Sequence, residues 1–383
     1  MDIPTIGIGM LGYGDMGKAH SNGYLQMPYI FWPPPAVPRL LKMCGRTEEK
    51  VKDESERFGF RSYCTDWKEI VEDNDIDIFV NVGPNNIHAQ PCIEAARAGK
   101  HLVCEKPLAR NASEANAMYE AAKKAGVKHI CNFSMRMIPA LALAKKLITE
   151  EDFGKVYHFR INYLMDYYND LNEPRTWRMM KEFAGSGITA DLSVHSVDLA
   201  RWLCGEPQSV TSISKTFIKE RPVSKGSDKK GKVDVDDASI ALLEFSNGAI
   251  GYLEATAFAT GRKSFIGVEL NAENASFYWN FEDMCHLYVH YEKEKRKDTR
   301  GYHKVSISQD YHPYYDRWAP FEEVPMGNSA TFVHTAYHIV DAAVNNTRLE
   351  PEVATFEDGY KAAVICDAII KSAEAGKKIN IEY

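Results

Sequence analysis

The sequence predicts an α/β chain in two parts, an N-terminal doubly wound parallel sheet of the Rossmann kind and a C-terminal α+β domain on a large, open, mostly antiparallel sheet. Three observations predict it. Short apolar runs alternate with helical patterns over the first third, a glycine-rich turn follows the first run, and from about Gly154 the runs succeed one another with little helix between them. At 383 residues, the chain suits two cores better than one.

Thr5 to Leu11 reads as a buried strand, followed by Leu40 to Cys44, Asp77 to Val82, His101 to Cys104 and Val127 to Cys131. Thr47 to Phe58, Ile87 to Ala98 and Glu114 to Lys124 carry helical spacing, with Gly59, Gly99 and Gly126 placed as stops. Strands separated by helices imply right-handed crossovers and a parallel sheet covered on both faces. The run Trp32 to Pro38 stands where the second strand should start, and proline cannot donate a ladder bond there. The first domain is expected to cover residues 1–133 and the second 134–383.

In the second part, strands are expected over residues 155–165, 209–217, 238–245, 249–258, 265–270, 276–279 and 285–291. Asn247-Gly248 favours a tight hairpin, and Asn271 to Asn274 a second turn. One helix, Ile188 to Cys204, interrupts the strands and closes at Gly205-Glu206-Pro207. Thr331 to Asn345 and Phe356 to Ala375 read as terminal helices, the last able to pack back on the first domain. Lys219 to Asp237, rich in Lys, Asp, Gly and Ser, fits an exposed excursion.

Lys+Arg 46 against Asp+Glu 53 leaves a net charge of -7, which disfavours nucleic acid and anionic membrane as partners. No apolar window of about 18 residues occurs, and Met1 to Pro4 shows no basic region leading into an apolar stretch, so a cytoplasmic protein is expected. The eight cysteines lie far apart without a C-x-x-C pair and read as reduced core thiols.

Two G-x-G-x-x-G registers overlap, Gly7 to Gly12 and Gly12 to Gly17. The earlier leaves almost no strand before it and puts Gly14 and Gly17 inside the helix, so the later is preferred. Gly12, Tyr13, Gly14, Asp15, Met16 and Gly17 then form a turn whose amides and helix dipole face a pyrophosphate. The second strand ends Cys44-Gly45-Arg46-Thr47, without the usual ribose-binding acid. Arg46 can stack on adenine or neutralise a 2′-phosphate, a mild tilt toward NADP that Glu48 and Glu49 oppose, so NAD and NADP both stay open.

Glu105-Lys106-Pro107 ends the fourth strand, at the carboxyl edge where such sheets bind ligands. Asp191 and His195 stand four apart and Asp198 three further on, one face of a helix, where a carboxylate can fix an imidazole's tautomer for proton abstraction. Taken alone, Lys106 also fits a surface strand-end lysine, and the acidic pair with His195 a capping or core role. No third His or Cys keeps metal spacing with them, so no metal is expected.

Together, Gly12 to Gly17, Glu105-Lys106-Pro107 and Asp191 with His195 resemble the Gfo/Idh/MocA family of NAD(P)-dependent sugar and inositol oxidoreductases. The similarity runs through Val82 to His88 and His195 to Gly205. Met27 to Pro35, Thr176-Trp177-Arg178 and Val235-Asp236-Asp237 look most like the branch of levoglucosan and inositol dehydrogenases, which implies oxidation at C3 of a pyranose. The resemblance implies that Lys106 bonds the reacting hydroxyl, His195 accepts its proton and Asp191 orients sugar or imidazole. Pro84, Asn85, His88 and Glu105 match cofactor-side positions, and Arg136, Trp177 and Arg178 sugar-side ones. The chain departs from the family pattern at Gly45 and at Ser134, where close relatives often have Asn. A pyranose sugar, glycoside or cyclitol substrate follows, as does a homodimer or homotetramer through the open sheet. His312 to Trp318 suits either a sugar-stacking segment or an interface arm. Two other functions fit the same residues: a glycosidase using transient C3 oxidation, and a non-catalytic sugar or nucleotide sensor. Retention of Lys106, Asp191 and His195 together argues against the sensor.

Overall fold

The computed structural model describes residues 2–150, 152–315, 324 and 326–383. Two compact units emerge, one of Met1–Met137 with Tyr314, Tyr315 and Met326–Tyr360, the other of Ile138–Pro313 with Lys361–Tyr383.

In the first unit, strands β1 (Thr5–Leu11), β2 (Val37–Cys44), β3 (Ser62–Cys64), β4 (Ile78–Asn81), β5 (His101–Cys104) and β6 (His129–Cys131) form one parallel sheet in the order β3-β2-β1-β4-β5-β6. Helices α1 (Asp15–Ile30), α2 (Glu48–Phe58), α3 (Lys68–Val71), α4 (Ala89–Arg97) and α5 (Ala112–Ala125) supply the crossovers. Covered on both faces, the central strands read as unbroken apolar runs: Ile8, Met10, Ile78, Phe79, Val80, Leu102 and Val103 are all buried. The strand order reverses between β1 and β4, the place where sheets of this kind open for a ligand.

Three differences from the sequence reading have local causes. Strand β2 begins at Val37 and includes Pro38, because Val37 N donates to Pro4 O toward β1 and the Pro38 nitrogen faces the other way, where β3 pairs only with Lys42 to Cys44. Strand β3 is three residues long, too short to show a period. The helix expected from Ile87 starts at Ala89, after a 3-10 turn over Asn85–Ile87.

The second unit contains helices α6 (Pro139–Ile148), α7 (Lys181–Ala184) and α8 (Val194–Cys204). Its strands are β7 (Val156–Leu164), β8 (Pro207–Lys215), β9 (Glu220–Pro222), β10 (Lys230–Lys232), β11 (Ala238–Phe245), β12 (Ile250–Thr256), β13 (Phe265–Ala272), β14 (Ala275–Asn280), β15 (His286–Tyr291), β16 (His303–Ser306) and β17 (Ile379–Asn380). Nine of them form a sheet in the order β16-β15-β14-β13-β7-β12-β11-β8-β17, antiparallel except for β7 beside β12. Strand alternation buries Phe159, Ile161, Leu243, Phe245, Leu253 and Phe277 on one face. The other face leaves Ile213, Ile240, Leu242 and Ile250 more than half exposed, with Ile240 opposite Ile213 in register.

The expected excursion over Lys219 to Asp237 is a correction. It folds into the β9–β10 hairpin, anchored by Arg221, which is 1% exposed and donates to the carbonyls of Tyr168 and Asp170, and by buried Val233 and Val235. Its composition reflects a solvated tip between two anchored ends.

The last two helices, α9 (Ala330–Asn345) and α10 (Phe356–Ala375), fall where the periodicity puts them. The expected boundary at 133/134 does not hold as a single cut. Helix α9 belongs to the first unit, where Val333, Ala336, Ile339 and Val340 join Tyr24, Met27 and Phe31 in one core, and α10 passes from the first unit into the second after Tyr360. An apolar stripe announces a buried face without naming the surface that buries it. Seven of the eight cysteines are buried, and among the described residues no helix is long and apolar enough to cross a membrane.

Candidate active site

Strand β1 ends in a turn shaped by three close approaches. Gly12 N donates to Cys44 O, and its φ of +111° suits glycine; a Cβ there would stand 2.8 Å from Val82 Cγ2. A Cβ on Gly17 would stand 2.9 Å from Gly12 O, so α1 packs directly on the turn. Gly14 caps α1 with no side-chain bond and meets nothing within 4 Å, leaving open space at the first amides of the helix. That open cradle fits a dinucleotide pyrophosphate.

The missing acid at Gly45 has a steric explanation. The Tyr13 ring lies against this residue, and a Cβ at 45 would be 2.1 Å from Tyr13 Cε1. Arg46, next along, is exposed, as are Asp15 and Met16 at the start of α1.

Beyond β4, Pro84 caps the 3-10 turn that Asn85 opens, and His88 has a different task from a direct cofactor contact. Its ring is fully buried, with Nε2 2.9 Å from Gly83 O and Nδ1 3.0 Å from Pro107 O. Burial, the largest influence, lowers its basicity against the pull of those carbonyls. His88 is therefore a strut joining the loops after β4 and β5.

Lys106 leaves the end of β5 half-buried, while the preceding Glu105 is 6% exposed. Glu105 Oε1 accepts from Asn132 Nδ2 at 2.7 Å and meets His20 Nε2 at 2.7 Å; Oε2 accepts from Lys106 N at 3.2 Å. Burial pushes the Glu105 carboxyl upward, yet His20, Asn132 and nearby Lys106 outweigh it and hold the group below the usual carboxylate range. Glu105 thus lies behind the surface that the cofactor reading gave it. Arg136, read as a sugar contact, is also a correction. It is 3% exposed and pairs with Asp358 at 3.0 Å, and Asp358 in turn accepts from Thr355 N. Ser134 is buried in a 3-10 turn over Ser134–Met137.

In the second unit, the helix expected from Ile188 begins as a π-helical turn, Thr189–Ser193, before α8. Such turns rotate successive side chains less than an α-helix does, so the straight-helix face drawn for Asp191 and His195 is only approximate. Asp236 fastens the start: its carboxylate accepts from Gly187 N (2.8 Å), Thr189 N (2.7 Å) and Thr189 Oγ1 (2.8 Å). Gly187 is required there, since a Cβ would lie 2.0 Å from Asp236 O.

Four side chains of this unit converge. Tyr167 Oη donates to Asp191 Oδ2 at 3.0 Å, Arg178 Nε lies 3.9 Å from the same oxygen, and the Arg178 guanidinium stacks 4.5 Å over the Trp177 ring. Burial first, and then the charge of Asp191, push the Tyr167 hydroxyl far above its ordinary range, so it remains a neutral donor. His195 is 6% exposed beside the Tyr163 ring at 5.8 Å, and Asp198 is buried one turn on. A carboxylate held by one hydroxyl donor beside a guanidinium, next to a half-buried aromatic face, matches the alternating hydroxyl edges and C–H faces of a polyol ring.

The sequence reading gave no role to Tyr167, His20, Asn132 or Asp236, the last quoted only within the segment Val235-Asp236-Asp237. The doubled tyrosine after β7 was a usable sign; the others have none at the level of spacing. In the segment His312 to Trp318, His312 Nδ1 accepts from the amides of Ser308 and Gln309, a local turn, while Asp316, Arg317 and Trp318 lie outside the described residues.

Comparison with known proteins finds relatives along the whole chain. Residues 6–133 match the model of the oxidoreductase family with an NAD-binding Rossmann fold, and residues 141–278 that of the GFO/IDH/MocA C-terminal domain. Levoglucosan dehydrogenase of Pseudarthrobacter phenanthrenivorans is 38% identical over 99% of both chains, and scyllo-inositol 2-dehydrogenase (NAD(+)) of Bacillus subtilis 30% identical over 69% of each. Levoglucosan dehydrogenase solved with NADH and L-sorbose superposes with a TM-score of 0.95 at 38% identity, covering 99% of this chain and 100% of that one. Its complex with NADH and levoglucosan gives 0.94 with the same coverage.

The cap on the π turn yields one expected outcome. Asp236→Ala, which strands the amides of Gly187 and Thr189, should lower stability in urea unfolding by about 1–2 kcal/mol, with Asp236→Asn recovering part of the loss.

Proposed function

The chain belongs to the Gfo/Idh/MocA oxidoreductase family and is a nicotinamide-dependent sugar or cyclitol dehydrogenase, and on that premise we propose that it oxidises a ring hydroxyl of a pyranose, C3 foremost, using NAD. The observation that carries the substrate class is the cluster of Asp191, Tyr167, Arg178 and Trp177, taken with the full-length likeness to levoglucosan dehydrogenase. NAD is favoured over NADP because the solved relatives hold NADH; Arg46 is the residue that speaks for NADP.

Gly12 to Gly17 and the first amides of α1 hold the pyrophosphate, with Tyr13 and Arg46 at the adenosine end and Pro84 and Asn85 toward the other. When bound, the nicotinamide supplies the hydride acceptor. His195 takes the hydroxyl proton on a ring nitrogen, and Lys106 donates a hydrogen bond to the oxygen as alkoxide charge develops. Asp191, already held by Tyr167 and Arg178, accepts from a neighbouring hydroxyl and fixes the ring's orientation. We also read the exposed face bearing Ile213, Ile240, Leu242 and Ile250 as the contact between copies in a homodimer or homotetramer.

A spectrophotometric panel at about 340 nm, the reduced-nicotinamide band, tests the reading. NAD and NADP are each paired with levoglucosan, glucose, inositols and glucosides. NADH formation with a pyranose is expected. Sugar release from a glucoside without net NADH would favour the glycosidase mechanism instead, and turnover with inositols alone would overturn the pyranose assignment. His195→Ala should lower kcat by about 10² to 10⁴ while leaving NADH binding largely intact; unchanged turnover would remove His195 from the role of base. Leu242→Glu should shift the assembly toward monomer in size-exclusion chromatography with light scattering, and an unchanged elution would exclude this face.

A further inference from the structure

Behind Lys106, inside the first unit, lies a polar cluster that neither sheet nor helix packing requires. His20, on α1 one turn past Gly17, is 1% exposed, and its Nε2 stands 2.7 Å from Glu105 Oε1. A carboxylate oxygen only accepts, so Nε2 carries the proton. Asn132, just past β6, donates to the same oxygen at 2.7 Å, and its Oδ1 accepts from Thr335 Oγ1 of α9 at 2.9 Å. The Phe332 ring packs edge-on to His20 at 5.1 Å and closes the cluster from the α9 side. Glu105 Oε2 holds the amide of Lys106. Three segments of chain therefore meet on one carboxylate, with α9 bonded to Asn132 behind them. Filling the same volume with apolar side chains would generally cost no stability, so a buried pair of this kind points to a role other than holding the fold together.

We propose that His20 is a positioning residue: through Glu105 it ties the backbone that bears Lys106 to the helix that cradles the pyrophosphate, so that hydroxyl and cofactor are held in register. This rests on the dehydrogenase reading above. The cluster has a second consequence, because Glu105 must stay ionised to accept from three donors. The groups facing it are His20 from α1, Asn132 after β6 and its neighbour Lys106, with the His88 ring and the thiol of Cys104 also within electrostatic reach. With His20 removed, burial dominates and the carboxyl takes up its proton at higher pH.

The test compares wild type with His20→Phe, which keeps the ring volume, and His20→Gln, whose amide can still donate. In His20→Phe, kcat should fall roughly tenfold while the NADH dissociation constant moves less than about threefold, since alignment rather than binding is disturbed. The acidic limb of its kcat–pH profile should shift upward, and His20→Gln should recover most of both effects. Independently of turnover, the infrared band of the protonated Glu105 carboxyl, identified by its absence in Glu105→Gln, should appear at higher pH in His20→Phe than in wild type. If His20→Phe keeps the wild-type profile and infrared titration, the proposal is overturned. A loss of kcat that parallels loss of melting temperature and is not relieved by His20→Gln overturns it equally. Failure of the wild type to turn over any substrate overturns the dehydrogenase reading instead, and the infrared comparison then decides the His20–Glu105 coupling alone.

Discussion

Glu105 carries charge where water scarcely reaches, and much of the first unit is arranged to permit it. A lone buried carboxylate is so unfavourable that it would take up a proton, and here three donors from different parts of the chain prevent that. Those donors come from the helix after the glycine turn, from the end of β6 and from the strand end itself, with Thr335 of α9 bonded to Asn132 behind them. The return of α9 to the first unit is thus more than apolar packing, because it completes a hydrogen-bond chain that ends at the amide of Lys106.

The second unit also holds a carboxylate through neighbouring groups, here in a more open setting. Asp191 is partly open and is steadied by the neutral Tyr167 hydroxyl and the stacked Arg178, while the turn from which it projects is fastened by Asp236. Both acids that organise the sites are held from behind by residues that belong to other elements, which leaves their outward neighbours available for ligand. A wide π turn supported at a single carboxylate is an economical way to alter the aim of a helix by a fraction of a residue.

Much of this was legible in the amino-acid order, for physical reasons. Parallel strands covered on two faces must be continuously apolar, so β1, β4 and β5 declare themselves; the glycines at 12 and 17 are fixed by close contacts and the one at 14 leaves the first helix amides open, so their spacing survives as a motif. Asp191 was legible from its spacing to His195, while Trp177 with Arg178 was legible only through family resemblance. What stayed hidden depends on three-dimensional partners. Arg136 reads as an available cation until Asp358 is seen beside it, His88 as a ligand until two carbonyls bracket its ring, and Asp236 as part of a solvated loop until the amides of Gly187 and Thr189 reach it. Charge patterning along a chain does not say which charges are already spoken for.

The contact between Tyr13 and Gly45 bears on how such a site can evolve or be redesigned. An aspartate introduced at 45 meets the Tyr13 ring far inside van der Waals distance, and a smaller residue at 13 alone removes the ring that packs against Gly45. Each change is unfavourable by itself and sensible only with the other. The two positions therefore behave as one unit, and libraries that vary them singly will pass over the double exchange.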